Sequence, residues 1–193
     1  MKKAHQHSTE ISGAIVRYTT NKHHDIDGFV IDMQGKSAEV RFPPHTAKFV
    51  REIAAENDTV NLIVQEKPHP PHAGDKIPAS KFHLDSIENS KSGQHFSVDS
   101  IKPPHPAETG RVVSFSIPHP QFAHGGKKNE ITGVVFEGKF IHLHPDEYDA
   151  SPDEILAAPA IHVKAKQRTT DAGFVNADGY TVYHAQNVDV GKN

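Results

Sequence analysis

Apolar and polar residues alternate along most of this chain, and alternation with a period of two marks a strand with one buried face. Residues 11–20 carry Ile11, Gly13, Ile15 and Arg17 on one side and Ala14, Val16 and Tyr18 on the other. Residues 25–32 and 36–42 read as a hairpin around a Met33-Gln34-Gly35-Lys36 turn. Pro43-Pro44 ends its second arm, because proline has no N–H to give a ladder. The period then changes. Phe49, Val50 and Ile53 fall at helical spacing, so residues 47–55 predict a short amphipathic helix with Thr46 as its N-cap. Residues 60–65 return to alternation, with Leu62 and Val64 on one face. Residues 81–87 and 95–101 predict a second hairpin, joined through the turn-forming stretch 89–93. The stretch 68–75, Pro-His-Pro-Pro-His-Ala-Gly-Asp, suits neither strand nor helix and predicts an exposed loop.

The series then restarts. Residues 110–117 match 13–20 as a first strand, and residues 118–129 read as a longer loop. Residues 130–136 and 139–143 form a second hairpin, a degraded copy of the first. Ser151-Pro152 opens a helix as N-cap and first helical residue, and Pro159 cuts it short. Residues 161–164 match 62–65, and residues 179–188 supply a last strand. Each half thus reads strand, strand, strand, short helix, strand, strand. That order predicts an all-β protein with short helices, built as two tandem five-stranded OB-fold-like barrels. The repeat period of about 100 residues is too long for a solenoid and implies two domains. They are expected at residues 10–102 and 107–190, with a mobile arm at 1–9 and a linker at 103–106. A plain β-sandwich or a pair of SH3-like barrels is the rival, and the helix after the third strand argues against it.

The run Asp27-Gly28-Phe29-Val30-Ile31-Asp32, followed by Val40-Arg41-Phe42-Pro43-Pro44-His45, resembles a family of small bacterial proteins of uncharacterised function. Its signature is Gly-Phe-aliphatic-aliphatic followed by Val-x-Phe-Pro-Pro-His. The resemblance covers residues 11–101 and implies an OB-type domain, with no catalytic residues to carry over. The second half departs from it, reading Leu143-His144-Pro145-Asp146 where Phe-Pro-Pro-His is expected.

Charge narrows the partners. Lys and Arg number 21 against 24 Asp and Glu, a net charge of −3. Duplex-DNA binders usually carry a basic excess, because they neutralise phosphates. With no cysteine, disulfides, thiolate zinc sites and a cysteine nucleophile are excluded. The polar N-terminus and the lack of a long apolar run predict neither signal peptide nor membrane span, and a cytoplasmic location.

Candidate chemistry is sparse. No Gly-x-Ser-x-Gly, phosphate loop or His-Glu-x-x-His is present, so no enzymatic activity is expected. Histidine is over-represented at 16 residues. His142 and His144 stand two apart on a predicted strand and so share a face; with Glu147 they are the candidate ligands for Zn²⁺, Ni²⁺ or Fe²⁺. The pattern resembles the first cupin motif, but its spacings are too short and no second histidine motif follows. The plainer alternative has Ile141 and Leu143 facing the core and both histidines facing water. His69, His72, His105 and His119 neighbour prolines and read as solvated loop residues. His45 either meets a ligand or bonds backbone at the helix start.

An OB barrel offers single-stranded nucleic acid as first candidate ligand, by fold analogy. Stacking would need aromatics with cations nearby. Lys36, Arg41, His45 and Lys139 are the candidate ligand-binding residues, with Lys127-Lys128 in a loop. Phe29 and Phe42 fall where core residues are expected, and Asp25, Asp27, Asp32 and Glu39 would repel phosphate. A protein partner is the alternative. No cofactor is expected apart from the candidate metal.

Overall fold

The computed structural model describes residues 8–66, 81–104, 111–125, 130–168 and 173–190, and strands dominate them. The expected loop at 68–75, with His69 and His72, lies outside the described residues, as do His105 and Lys127-Lys128. The chain divides into two compact units, neither a continuous stretch. Unit 1 comprises Met1–Thr20, Ile26–Pro103 and Gly173–Val175; unit 2 comprises Asn21–Asp25, Pro104–Ala172 and Asn176–Asn193. Each therefore includes a few residues that a cut at 103–106 assigns to the other half.

In unit 1, β1 (Ser8–Thr20), β2 (Ile26–Met33), β3 (Lys36–Arg41), β4 (Thr59–Glu66) and β5 (Lys81–Asn89) are followed by a short β6 (His95–Ser97). The first strand starts at Ser8, earlier than expected, because its N-terminal half pairs with β4 from Ser8↔Gln65 to Ala14↔Thr59. Its C-terminal half pairs with β2, with a register shift between Ile15 and Arg17. β2 pairs with β3 and β4 with β5, both antiparallel. A parallel pairing, Glu39↔Lys81 to Arg41↔His83, joins β3 to β5. Followed from strand to strand, the ladder runs β1, β2, β3, β5, β4 and back to β1. The alternation then has a clear meaning: Ile15, Phe29, Ile31, Val40, Val60 and Leu62 are all buried in one core.

Between β3 and β4 lies α1 (Ala47–Ile53), which sets Ala47 and Val50 into that core. Thr46 stands at its N-cap position, as expected, but its side chain makes no capping bond. Pro43-Pro44 start a 3₁₀ turn over Pro44–Thr46, so Thr46 already has helical dihedrals. Its hydroxyl donates instead to the Pro43 carbonyl at 2.8 Å, and the Lys48 amide in the first turn donates to the Gly173 carbonyl at 3.0 Å.

Unit 2 repeats the plan with its first strand broken. β7 (Val112–Pro118) pairs only with β11 (Ala160–Gln167), as the first half of β1 pairs with β4. β8 (Gln121–Gly125) pairs with β9 (Glu130–Phe136), as the second half of β1 pairs with β2. The expected loop at 118–129 therefore contains a strand, and residues 110–117 correspond to the start of β1 rather than to its end. The cause of the break is Pro118-His119-Pro120. Two residues without an N–H flank His119, which adopts φ +48° and donates its own N–H to the Pro159 carbonyl at 2.8 Å. β9 pairs with β10 (Lys139–His142), and β10 pairs in parallel with β12 (Thr181–Val190), which returns to β11. α2 (Pro152–Ala157) sits between β10 and β11. Here Ser151 is the expected N-cap, in a capping box with Glu154, and the Ile155 side chain enters the second core.

Gly133 shows why this hairpin needs a residue without a side chain. It faces His142 across the β9–β10 ladder, and a Cβ there would lie 2.6 Å from the Phe140 ring and 2.7 Å from the Ile141 carbonyl. Gly133→Ala is expected to destabilise unit 2 by about 2–3 kcal/mol through overpacking. Gly138→Ala, in open space at φ +72°, should cost only about 1 kcal/mol. Urea denaturation of the two variants would show the difference.

Candidate functional site

The one parallel strand pairing of each unit among the described residues carries a histidine at one position. In unit 1 it pairs Arg41 with His83; in unit 2 it pairs His142 with His184. The second pair is joined by His23, from the Asn21–Asp25 segment of the same unit. The His23 and His142 ring centroids are 4.2 Å apart, His142 and His184 5.6 Å, and His23 and His184 6.4 Å. All three pairs meet edge to face. The His23 Nε2 is buried without a hydrogen-bond partner.

The segment bearing His23 is held by polar contacts along its whole length. Asn21 Oδ1 accepts from the amides of His23 and Asp25, at 2.8 and 3.2 Å. The Asn176 side chain donates to the His23 carbonyl at 3.1 Å, and the Ala177 amide to the His24 carbonyl at 2.8 Å. His24, at φ +62°, sets its Nδ1 2.5 Å from Asp178. Asp25 is 1% exposed and takes a two-pronged grip from Arg168, at 2.5 and 2.8 Å. A buried carboxylate persists only when its charge is matched in this way.

This packing sets the protonation of the trio. Burial is the largest influence on His23 and His142, and pushes their pKa values down to about 4 and about 3. The Lys22 charge and the neighbouring imidazoles act in the same direction. His184 is lowered too, by desolvation and then by Arg168, although it keeps an exposed face. At neutral pH the cluster is therefore three neutral imidazoles.

The proposed metal set does not assemble. His142 points into this cluster, but Pro145 ends the strand and turns His144 away. His144 becomes the N-cap of a 3₁₀ turn over Pro145–Glu147, its Nδ1 accepting from the Asp146 amide at 3.4 Å. The Glu147 carboxylate accepts from the His144 backbone amide at 3.0 Å. Ile141 and Leu143 are buried, as the plainer alternative expects. Among the described residues no three His, Asp or Glu side chains are set around a metal position. His144 and Asp146 instead line a cavity of about 290 Å³ with Lys22, Glu130 and Thr132.

The ligand-binding candidates are distributed less favourably. Lys36 is exposed at the first hairpin turn. Arg41 is tied on its own hairpin, to Asp27 at 2.5 Å and to Glu39, which also attracts Lys81 at 3.9 Å. Burial raises the Asp27 pKa against the pull of Arg41. His45 is 8% exposed inside unit 1, its ring 6.3 Å from Phe174. Lys139 pairs with Glu137 at 3.6 Å and donates to its carbonyl. Phe29, Phe42 and Phe140 are core residues, and none is available to stack a base.

His23, His184, Asp25 and Arg168 escape a reading by motif, because they lie far apart in the chain. One signal was available. Phe82-His83-Leu84 and Tyr183-His184-Ala185 repeat an aromatic-His-aliphatic triplet in the two halves.

Comparison with protein-family models, with curated proteins and with solved structures finds no match to this chain. Among the described residues no helix is long and apolar enough to cross a membrane.

Three measurements test this arrangement. Arg168→Ala leaves the buried Asp25 carboxyl without its ion-pair partner, and should cost about 3–5 kcal/mol in urea denaturation. In metal-free buffer, the unfolded chain takes up protons below about pH 6.5, whereas folded His23 and His142 resist them. Unit 2 should therefore lose stability as the pH falls from 6.5 toward 4, by about 1.4 kcal/mol for each unit of depression. Imidazole NMR should show both rings still untitrated at pH 5.5.

Proposed function

We propose that this chain is a non-catalytic binding module made of two OB-like barrels. The observation that carries the reading is the parallel β3–β5 pairing, which returns the unit 1 ladder to its first strand with a helix between strands three and four. Strand order in unit 2 supports the same plan, with β7 and β8 sharing the place of β1. The similarity of residues 27–45 to the Gly-Phe and Phe-Pro-Pro-His signature agrees with it.

The first candidate ligand is a single-stranded nucleic acid, on the analogy of the fold. Its contacts would fall on exposed Lys36 and on Lys139. The self-paired Arg41 and the buried phenylalanines make such binding weak and dominated by phosphate contacts. A protein-interaction scaffold is the second reading. It is favoured by the matched ion pairs Arg41–Asp27, Arg41–Glu39 and Lys139–Glu137, which leave little net field to attract a polyanion.

Fluorescence anisotropy with labelled oligothymidylate and oligouridylate separates the two. The nucleic-acid reading expects weak binding at low salt, with a log–log salt slope of about −0.7 for each neutralised phosphate. Lys36→Glu and Lys139→Glu should each weaken it further. Absence of binding at low salt would remove nucleic acid as the ligand and leave the scaffold.

A further inference from the structure

We propose that the outer edge of β7 in unit 2 docks an extended strand of a partner protein, one with acidic residues at every second position. This surface and this partner rest on the scaffold reading above and deepen it.

A sheet edge leaves a row of backbone N–H and C=O groups unpaired, and proteins guard such edges with short strands, bulges, prolines or charges. The first sheet ends at β6, which is three residues long, while its β3 is taken by β5. The second sheet ends at β8 and β7. β8 is five residues long and is broken by a register shift between Ala123 and His124. β7 has none of these guards. It runs seven residues, Val112–Pro118, in unbroken register with β11, and meets no proline before its last position. It carries no charged side chain. Among the described residues β11 is its one strand partner. A guest strand would gain main-chain bonds along this edge, and its alternating side chains would set specificity.

The side chains of the edge define the guest. Directly opposed residues of an antiparallel pair share a face. Val112, Ser114 and Ser116 are exposed on β7, and opposite them on β11 stand Lys166, Lys164 and His162. Ser114 is short, so the Lys164 side chain can extend over it toward a guest strand about 10 Å away, two strand spacings. Lys164 is exposed and has no ion-pair partner among the described residues. Lys166 adds a second positive charge to the same face. β7 and β11 carry no acid, and β12 carries only Asp189, opposite His162. On the other face, half-buried Val113 and Phe115 border the core. A strand with acids on one face and aliphatic side chains on the other complements both. A second copy of β7 brings no acid to Lys164. A nucleic acid offers no strand to the edge, and finds no Phe, Tyr or Trp among the exposed residues of β7 and β11.

The test uses the full chain and a labelled peptide of about eight residues alternating Val and Glu, which spans β7, with a Val–Lys peptide as its opposite. Fluorescence anisotropy is expected to show saturable binding of the Val–Glu peptide that weakens with salt, and none of the Val–Lys peptide. Lys164→Glu, at an exposed position, should weaken the Val–Glu peptide about fivefold and admit the Val–Lys peptide. Hydrogen exchange gives a readout independent of charge: alternate amides between Val112 and Ile117 should slow when the Val–Glu peptide is added. No saturable binding, or equal binding of both peptides by the unaltered chain, would overturn the proposal. So would protection confined to strands other than β7. Protection of β7 that grows with protein concentration in the absence of peptide would give the edge to a second copy and overturn the acidic partner. The scaffold reading fails instead on oligonucleotide binding in the assay above, so the two failures are distinguishable.

Discussion

A parallel pairing between distant strands in each unit is the interaction on which the rest depends. β3–β5 and β10–β12 join strands that lie far apart in sequence, and each pairing gives a partner to a strand that would otherwise be a free edge. Closing a long loop is slow and costs chain entropy, which the buried core must offset. The ladder places Val40 opposite Phe82 and Ile141 opposite Tyr183, so the closing contact is itself apolar. It also places the next position, one step toward the rim, where Arg41 meets His83 and His142 meets His184.

At that rim the two units have diverged in chemistry while keeping geometry. In unit 1 the position holds Arg41, whose charge is consumed by Asp27 and Glu39. In unit 2 it holds His142, whose neighbours are imidazoles. An arginine among carboxylates is a structural ion pair of modest strength, partly exposed and screened. Neutral imidazoles packed on one another retain lone pairs, and burial keeps them unprotonated. The same strand position therefore holds an ion pair in one unit and a packed histidine cluster in the other.

The buried Asp25–Arg168 pair belongs to the same economy of charge. It satisfies a carboxylate with almost no solvent contact, and it fixes the segment that carries His23. Removing either partner exposes an unmatched charge, whereas the pair as a whole adds little stability over an apolar replacement. Its role is to specify where that segment lies.

Much of this was legible in the sequence. Alternation located most of the strands, because a residue's face in a strand follows from its own parity. Ser151-Pro152 announced α2, since capping is a local event. The doubled Gly-containing hairpin announced the repeat. Thr46 fell at the N-cap as read, but Pro43-Pro44 impose a turn that draws its hydroxyl to the Pro43 carbonyl instead of a helix amide. The strand at Gln121–Gly125 was hidden by the prolines beside His119, which break the ladder without abolishing it. The histidine cluster lay beyond local pattern altogether. Spacing joined His142 to His144, two residues away, but Pro145 turned one of them aside. Only the tertiary structure brought in His23 and His184, because register between distant strands is set by how the sheet assembles and not by the period of any one strand.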